Sequence, residues 1–239
     1  MNTEHTLAPS GILPTIRSVD AGRGIGWISG GFSMVFKSPG TWVLVTIALF
    51  VISIVVDIIT PEAISAAMSM AVTTYLGGLL MLSCRSMEHG EDMFTHVKAH
   101  ASSTPLLILA AIAGVLYFGL MMAFATLGVG ALMVALMSPM LALQSAGVGL
   151  LGILVLYVLI SMALLFSPAL VVLRGVPPVE ALRLSFMGCL KNIIAFLLYT
   201  LLMMLVMIVA AIPLGLGLLI AIPAYICSSY IAYTQIFEG

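Results

Sequence analysis

Charged residues divide the chain into four long uncharged stretches, which cover residues 38–56, 63–84, 99–173 and 192–237. A helix needs about 20 apolar residues to cross the hydrocarbon core of a bilayer. The first two stretches therefore predict one membrane span each. The fourth stretch is long enough for two spans, and Pro213 near its middle predicts a tight turn between them.

The third stretch, residues 99–173, is harder to interpret because it is too long for two spans. Two spans and a turn need about 45–50 residues, which leaves some 25 residues over. The surplus lies around residues 127–147, LGVGALMVALMSPMLALQSAG. These residues could extend the two helices beyond the membrane, form a re-entrant or interfacial hairpin, or form a seventh span.

The distribution of basic residues favours six spans. With six, all Lys and Arg residues fall on one side of the membrane, in the N-terminal segment and in the loops after the second and fourth spans. The positive-inside rule places that side in the cytoplasm. A seventh span would move Arg174, Arg183 and Lys191 to the outside. We therefore expect a bacterial inner-membrane protein with both termini in the cytoplasm and an uncharged periplasmic excursion.

Similar short segments precede the predicted hairpins. GRGIGWISGGFSMVFKSPGTW aligns with PPVEALRLSFMGCLKNIIAF, so that Phe32 matches Phe186 and Lys37 matches Lys191. The middle segment, GEDMFTHVKAHASSTPLL, is a looser match. In the third segment apolar residues recur at helical spacing, at Val179, Leu182, Phe186, Cys189 and Leu190. This spacing predicts an amphipathic helix that lies in the membrane interface with its basic residues at the headgroups.

The predicted fold is therefore an all-α integral membrane protein. Its six transmembrane helices form three hairpins, each preceded by a cytoplasmic interfacial amphipathic helix. Residues 1–19 are predicted to be a flexible tail, and residues 20–239 a single transmembrane domain. The pseudo-repeats within that domain are about 20–85, 86–173 and 174–239.

The layout of a basic amphipathic segment such as ALRLSFMGCLKN followed by an apolar hairpin resembles a group of bacterial inner-membrane proteins. The group includes uncharacterised six-span families and the membrane domain attached to some bacterial glycerophosphodiester phosphodiesterases. The resemblance implies fold and compartment. It implies no catalytic residues, because the catalytic domain of those phosphodiesterases is a separate soluble barrel.

Composition agrees with a membrane location, since 62% of the residues are hydrophobic and only 7% are charged. A soluble domain has about a quarter charged residues. The net charge of −1 says nothing about nucleic acid, but the sequence has no basic stripe, and no nucleic-acid partner is expected. The three cysteines lie far apart and are expected to be reduced in the cytoplasm.

Few residues offer catalytic chemistry. The sequence has no GxSxG and no HExxH, and no histidine lies near the span serines to act as a base. Charged residues are absent from the interiors of the last four predicted spans, so proton relays and charged substrate cages lack their parts. We therefore predict no enzyme activity and no cofactor.

One polar cluster is a candidate metal site. Asp92, His96 and His100 would lie on one face of a helix, with nitrogen and oxygen donors suited to zinc or another divalent ion. The outer pair would be about 12 Å apart along the axis, so one ion could not bridge all three without a bend. A solvated loop is the alternative interpretation. Among the methionines, Met133, Met137 and Met140 have the spacing that best fits Cu(I), although methionine is also a flexible core residue.

Small residues predict close helix contacts. Gly147, Gly149 and Gly152 form a ridge at the start of the fourth span, which favours tight packing or self-association.

Three functional hypotheses remain from the sequence. The first is a non-enzymatic scaffold or partner of other membrane proteins, or a protein of envelope homeostasis. The second is a transporter, channel or flippase for a neutral or apolar substrate, for which a polar cavity lined by Thr73, Thr74, Tyr75, Ser161 and Ser167 would be evidence. The third is a metal-binding membrane protein that uses Asp92, His96 and His100.

Overall fold

The computed structural model describes residues 14–100 and 102–238, and these residues form helices and contain no strand. In chain order the helices are α1 (Arg23–Lys37), α2 (Pro39–Ile59), α3 (Glu62–Glu88), α4 (Val97–His100), α5 (Thr104–Met137), α6 (Pro139–Leu165), α7 (Ser167–Arg174), α8 (Pro178–Lys191), α9 (Ile193–Ala211) and α10 (Leu218–Tyr233). A π-helical turn, Thr234–Glu238, follows α10 directly.

Six of the described helical segments are long and apolar enough to cross a membrane. They are Pro39–Ile59, Ile64–Glu88, Thr104–Met137, Ala146–Arg174, Ile193–Ala211 and Leu218–Glu238. For the described residues, the predicted helical fold class with six helices long and apolar enough to span a membrane is therefore confirmed.

In residues 127–147, no further helix lies between α5 and α6. α5 continues to Met137, the backbone breaks at Ser138 with φ −157° and ψ 107°, and α6 begins at Pro139. The surplus residues thus lengthen two neighbouring helices.

Proline and glycine explain many of the helix boundaries. Proline occupies one of the first two positions of α2, α5, α6, α7 and α8, where its missing N–H has no helical partner to lose. Gly175 ends α7 with φ +65°, a left-handed conformation that favours glycine. Its N–H donates to Val171 O, and the N–H of Val176 donates to Leu170 O.

The short helices pack against long helices from earlier in the chain, or from its far end. α4 packs against α3, and α8 packs against α6 and α7. α1 packs against α10 and α9, the last long helices of the chain. The long helices α2 and α3, α5 and α6, and α9 and α10 are also in contact, and α2 touches α10. These contacts join the first and last parts of the chain.

Arg85, Arg174 and Glu238 meet at one end of α3 and α7; we call this region, with the core beside it, the charged end. Aromatic rings fill this core. The ring centroids of Trp27 and Phe196 are 5.1 Å apart, and those of Phe166 and Phe196 are 5.4 Å apart. Edge-to-face and tilted pairs of this kind add to the energy of burial alone.

The face of α8 that packs against the protein differs from the apolar face that the spacing predicts. The buried residues are small or of medium size: Ala181, Leu184, Ser185, Gly188 and Cys189. Val179, the first residue of the predicted apolar face, is 72% exposed, and Leu190 is 42% exposed. α8 therefore packs through a face with several small residues, which shares Cys189 with the predicted apolar face and leaves Val179 and Leu190 on the surface.

Candidate functional site

The carboxylate of Glu238 joins three parts of the chain at the charged end. Arg85 on α3 donates to both of its oxygens, at 3.2 and 3.3 Å. The Nε of Arg174 on α7 donates to Oε1 at 3.2 Å, as does the hydroxyl of Tyr233 on α10. Charge-assisted, two-pronged bonds of this kind are stronger and more directional than neutral hydrogen bonds.

A second set of contacts links α3 to α10. The hydroxyl of Tyr230 donates to Glu88 Oε2 at 2.5 Å. One turn earlier on α3, the Sγ atoms of Cys84 and Cys227 are 3.5 Å apart, and both are free thiols. The third cysteine, Cys189 on α8, is also buried and free. Burial raises the pKa of its thiol to about 12, so it stays protonated and unreactive near neutral pH.

Asn192, between α8 and α9, holds the segment that precedes α1. Its Oδ1 accepts a hydrogen bond from Val19 N at 2.8 Å, and its Nδ2 donates to Arg17 O at 2.9 Å and to Gly188 O at 3.0 Å. The side chain is only 3% exposed. Buried amides are costly unless bonded, and this one has three partners.

Two further bonds hold the same segment in place. Lys191 Nζ donates to Ile16 O at 2.6 Å, and Arg17 N donates to Ile236 O at 2.9 Å. Residues 16–19 of the predicted tail are therefore bonded both to the α8–α9 junction and to the C-terminal turn. Residues 1–13 of that tail lie outside the described residues.

The candidate metal ligands Asp92, His96 and His100 do not share one helix. α4 begins only at Val97, so Asp92 and His96 lie in the preceding turns. Asp92 Oδ2 accepts a bond from the backbone N–H of Phe94 at 3.3 Å.

The two histidines have separate neighbours. His96 Nδ1 lies 3.1 Å from Ser86 Oγ and 3.3 Å from Glu91 Oε2, and His100 Nδ1 lies 3.1 Å from His96 O. Within residues 14–100 and 102–238, no group of three or more His, Cys, Asp or Glu side chains is placed to hold a metal ion. Metal binding at Asp92, His96 and His100 stays a prediction.

The hydroxyl groups proposed to line a transport cavity include several with local partners. Ser161 Oγ donates to Tyr157 O at 2.8 Å, and Ser167, which is fully buried, donates to Leu164 O at 3.2 Å. Thr74 is also buried.

Two pockets in the structure have other, mainly apolar linings. One, of ≈ 520 Å³, lies between α5 and α6 and is lined by Ala123, Thr126, Leu127, Gly130, Ala131, Val134, Gly149 and Ile153. The other, of ≈ 330 Å³, is lined by Phe32, Leu205, Val206, Val209, Ala210, Gly217, Ile220 and Ala221.

Of the three glycines in the predicted ridge, one makes a close contact within the chain. A Cβ at Gly149 would lie 2.2 Å from Leu127 Cδ1, so α5 and α6 approach closely there. Gly147 and Gly152 have open space at the same position.

Sequence reasoning missed Glu238, Asn192 and Asp57 as contact centres. Asp57 at the end of α2 accepts bonds from Ser65 and Ser69 on α3, at 2.8 and 2.9 Å. Each of the three sits at the edge of an uncharged stretch. That position could have drawn attention to these residues, but it is equally typical of polar residues at a membrane boundary.

Six apolar helices and a polar cluster at one end define a membrane protein whose described polar contacts are mainly internal. Comparisons with protein-family models, curated proteins and solved structures find no match. The resemblance to the membrane domain of glycerophosphodiester phosphodiesterases therefore stays a prediction.

Proposed function

We propose that this protein is a non-enzymatic protein of the bacterial inner membrane that acts as a scaffold or partner for other membrane proteins, in a role such as envelope homeostasis. Both termini and the charged end face the cytoplasm in this proposal. The chain is built from three copies of one unit, a short interfacial helix followed by a hairpin. The contacts of the short helices support this repeat. α4 packs against α3 of the preceding unit, α8 packs against α6 and α7 of the preceding unit, and α1 of the first unit packs against α10 of the last.

The observation that carries the proposal is the use of polar side chains at the charged end. Glu238, Arg85, Arg174 and Asn192 form bonds between segments distant in sequence. Among the buried side chains that the structure describes, only the Nε1 atom of Trp42 lacks a hydrogen-bond partner. Catalysis and transport need polar groups that face a substrate, whereas a scaffold needs groups that hold its own shape.

The partner surface can be sought at the charged end. Val179 and Met187 on α8 and Phe94 before α4 are large apolar side chains that the structure leaves exposed. Exposed apolar residues beside charged ones are typical of protein or membrane contacts.

In-cell photo-crosslinking tests the proposal. A photoreactive amino acid at Val179 or Phe94 should give one discrete protein adduct in membranes, and the same residue at Met203, which is 4% exposed, should give none. The adduct at Val179 should disappear in a variant with Arg183→Glu, which reverses an exposed charge on the same helix. Adducts with phospholipid alone, or substrate flux in vesicles containing the purified protein, would contradict the scaffold role.

A further inference from the structure

The candidate spans differ greatly in length. The last two have 19 and 21 residues and the first two have 21 and 25, whereas α5 has 34 and the next span has 29. At 1.5 Å per residue, α5 is about 51 Å long and α9 about 29 Å. The hydrocarbon core of a typical bilayer is about 30 Å thick. The first two and last two spans are therefore close in length to the thickness of an ordinary hydrocarbon core, whereas the two middle spans are longer.

The surplus length lies beyond the neighbouring hairpin. Gly114 on α5 packs against Ala67 on α3, where a Cβ would lie 3.1 Å from Ala67 O. α3 begins only five residues before Ala67, at Glu62, while α5 runs on to Met137. Residues 120–137 of α5, about 27 Å of helix, thus pass the end of α3 and continue beside α6. We call residues 120–156 the distal arm.

The distal arm is apolar around its circumference. It contains no charged residue. Large apolar side chains are exposed along both of its helices, including Leu132, Leu136, Met137, Val148, Leu151 and Leu154. A helix that is hydrophobic all round belongs in a core or in lipid. The ≈ 520 Å³ pocket between the two helices also has a mainly apolar lining.

Tilt alone does not fit α5 into the hydrocarbon core of a typical bilayer. Transmembrane helices tilt by up to about 40°. At that angle a 51 Å helix still spans about 39 Å along the membrane normal, about 9 Å more than the hydrocarbon core. The other adjustments are a kink in the helix and a local thickening of the bilayer, and α5 is one unbroken helix from Thr104 to Met137.

We propose that the distal arm lies in hydrocarbon and gathers lipids with long acyl chains around it, so that the protein prefers a thick bilayer on this side. The proposal goes beyond the scaffold role, because it concerns lipid selection by a surface far from the charged end. The occupant is acyl chain, since the arm offers no charge to a headgroup and no polar face to a soluble partner.

Spin labelling of the full chain tests this. The protein carries a label at Leu136→Cys, or at Ile58→Cys near the end of α2 as a matched control, since both positions are more than 70% exposed. The three native cysteines are buried. Each labelled protein is placed in phosphatidylcholine vesicles with myristoleoyl, oleoyl or erucoyl chains. Electron paramagnetic resonance then compares collisions of the label with oxygen, which enters lipid, and with a water-soluble nickel chelate.

In erucoyl vesicles the label at Leu136 should meet oxygen and be shielded from nickel. In myristoleoyl vesicles its exposure to nickel should rise several-fold, and the label at Ile58 should change less. Deletion of residues 130–136 and 141–147, about two turns from each helix, should remove any gain in thermal stability that erucoyl vesicles give the intact chain.

Three results would overturn the proposal. Nickel exposure of Leu136 in every vesicle would place the arm in water. Shielding from both reagents would show that protein covers it, whether a second copy or another partner. Oxygen exposure that does not vary with chain length would show that the arm bends to fit and selects no lipid.

Discussion

The side chain of Asn192 forms hydrogen bonds to three separate backbone groups. One buried amide bonds to the backbone on both sides of the segment before α1 and to the last turn of α8. The same segment bonds through Arg17 N to Ile236, close to the C-terminus. Asn192 therefore helps to hold the segment before α1 beside the C-terminal turn.

Replacing Asn192 with Leu should destabilise the protein by about 2–4 kcal/mol, because it removes three hydrogen bonds, one of them fully buried, from the backbone groups of Val19, Arg17 and Gly188. Thermal unfolding in mild detergent measures the loss, and limited proteolysis should cut earlier near residues 16–19. The exposed Gln144→Ala variant is the control and should behave like the wild type. Equal melting temperatures for all three proteins would refute the role given to Asn192.

The ion pairs of Glu238 and Glu180 allow two contributions to stability to be compared. Glu238 is shared by two arginines, whereas Glu180 pairs with Arg183 alone. Glu238→Gln leaves Arg85 and Arg174 without their shared carboxylate and should cost about 1–2 kcal/mol, less at high salt because both arginines are partly exposed. Glu180→Gln breaks the 3.7 Å pair with Arg183, whose side chain is 71% exposed, and should cost little. Unfolding midpoints at low and high salt measure both. Similar losses in the two variants would mean that the Glu238 network adds nothing.

At the scale of the helix, the sequence predicts which segments cross the membrane but not which faces meet. Runs without charge identify the six spans, because hydrocarbon excludes charge along a helix regardless of its neighbours. The buried face of α8 escapes the same reasoning, since Ser185 and Gly188 add nothing to a hydrophobic pattern. These residues matter because they are small and allow close helix contact, which can be recognised only when the position of the partner helix is known.

Two glycines on α1 test whether small residues allow close helix packing. A Cβ at Gly31 would lie 2.1 Å from Ser228 Oγ and 2.5 Å from Ala224 O, whereas a Cβ at Gly26 meets nothing within 4 Å. Gly31→Ala should force α1 away from α10 and lower stability by about 1–3 kcal/mol, a cost typical of overpacking. Gly26→Ala should be neutral or slightly stabilising, as expected for alanine in a helix.

In chains that also carry Trp42→Phe, the fluorescence of Trp27 on the same helix, which is buried against Phe196, reports the change. Its emission should shift to longer wavelength in the Gly31 variant and stay unchanged in the Gly26 variant. An unshifted spectrum and melting temperature for Gly31→Ala would show that α1 and α10 do not pack this closely.

For the whole molecule, counting charges predicts the number of spans, while the joining of the two chain ends is not predictable from local patterns. The contact of Trp27 Nε1 with Gln235 Oε1, at 3.0 Å, links residues 208 positions apart. No periodicity carries information over that distance. Asp92, His96 and His100 do not form the predicted helical motif, because α3 ends at Glu88 and α4 begins only at Val97.

The predicted orientation in the membrane has a direct test. Leu214→Cys, which is 97% exposed in the turn between α9 and α10, should react in intact cells with a maleimide that cannot cross the inner membrane. The wild-type chain, whose three cysteines are buried, should stay unlabelled and serves as the control. Labelling of Leu214→Cys only after the inner membrane is opened would reverse the proposed topology.

The packing of α1 against α10 also has a consequence for biosynthesis. α1 is synthesised before α10, so Trp27 and Gly31 lack these neighbours until α10 and Gln235 have been made. A chain truncated within α10 would lose both the surface that receives Gly31 and the Gln235 amide that bonds Trp27. The buried face of α1 would then be left without its partner.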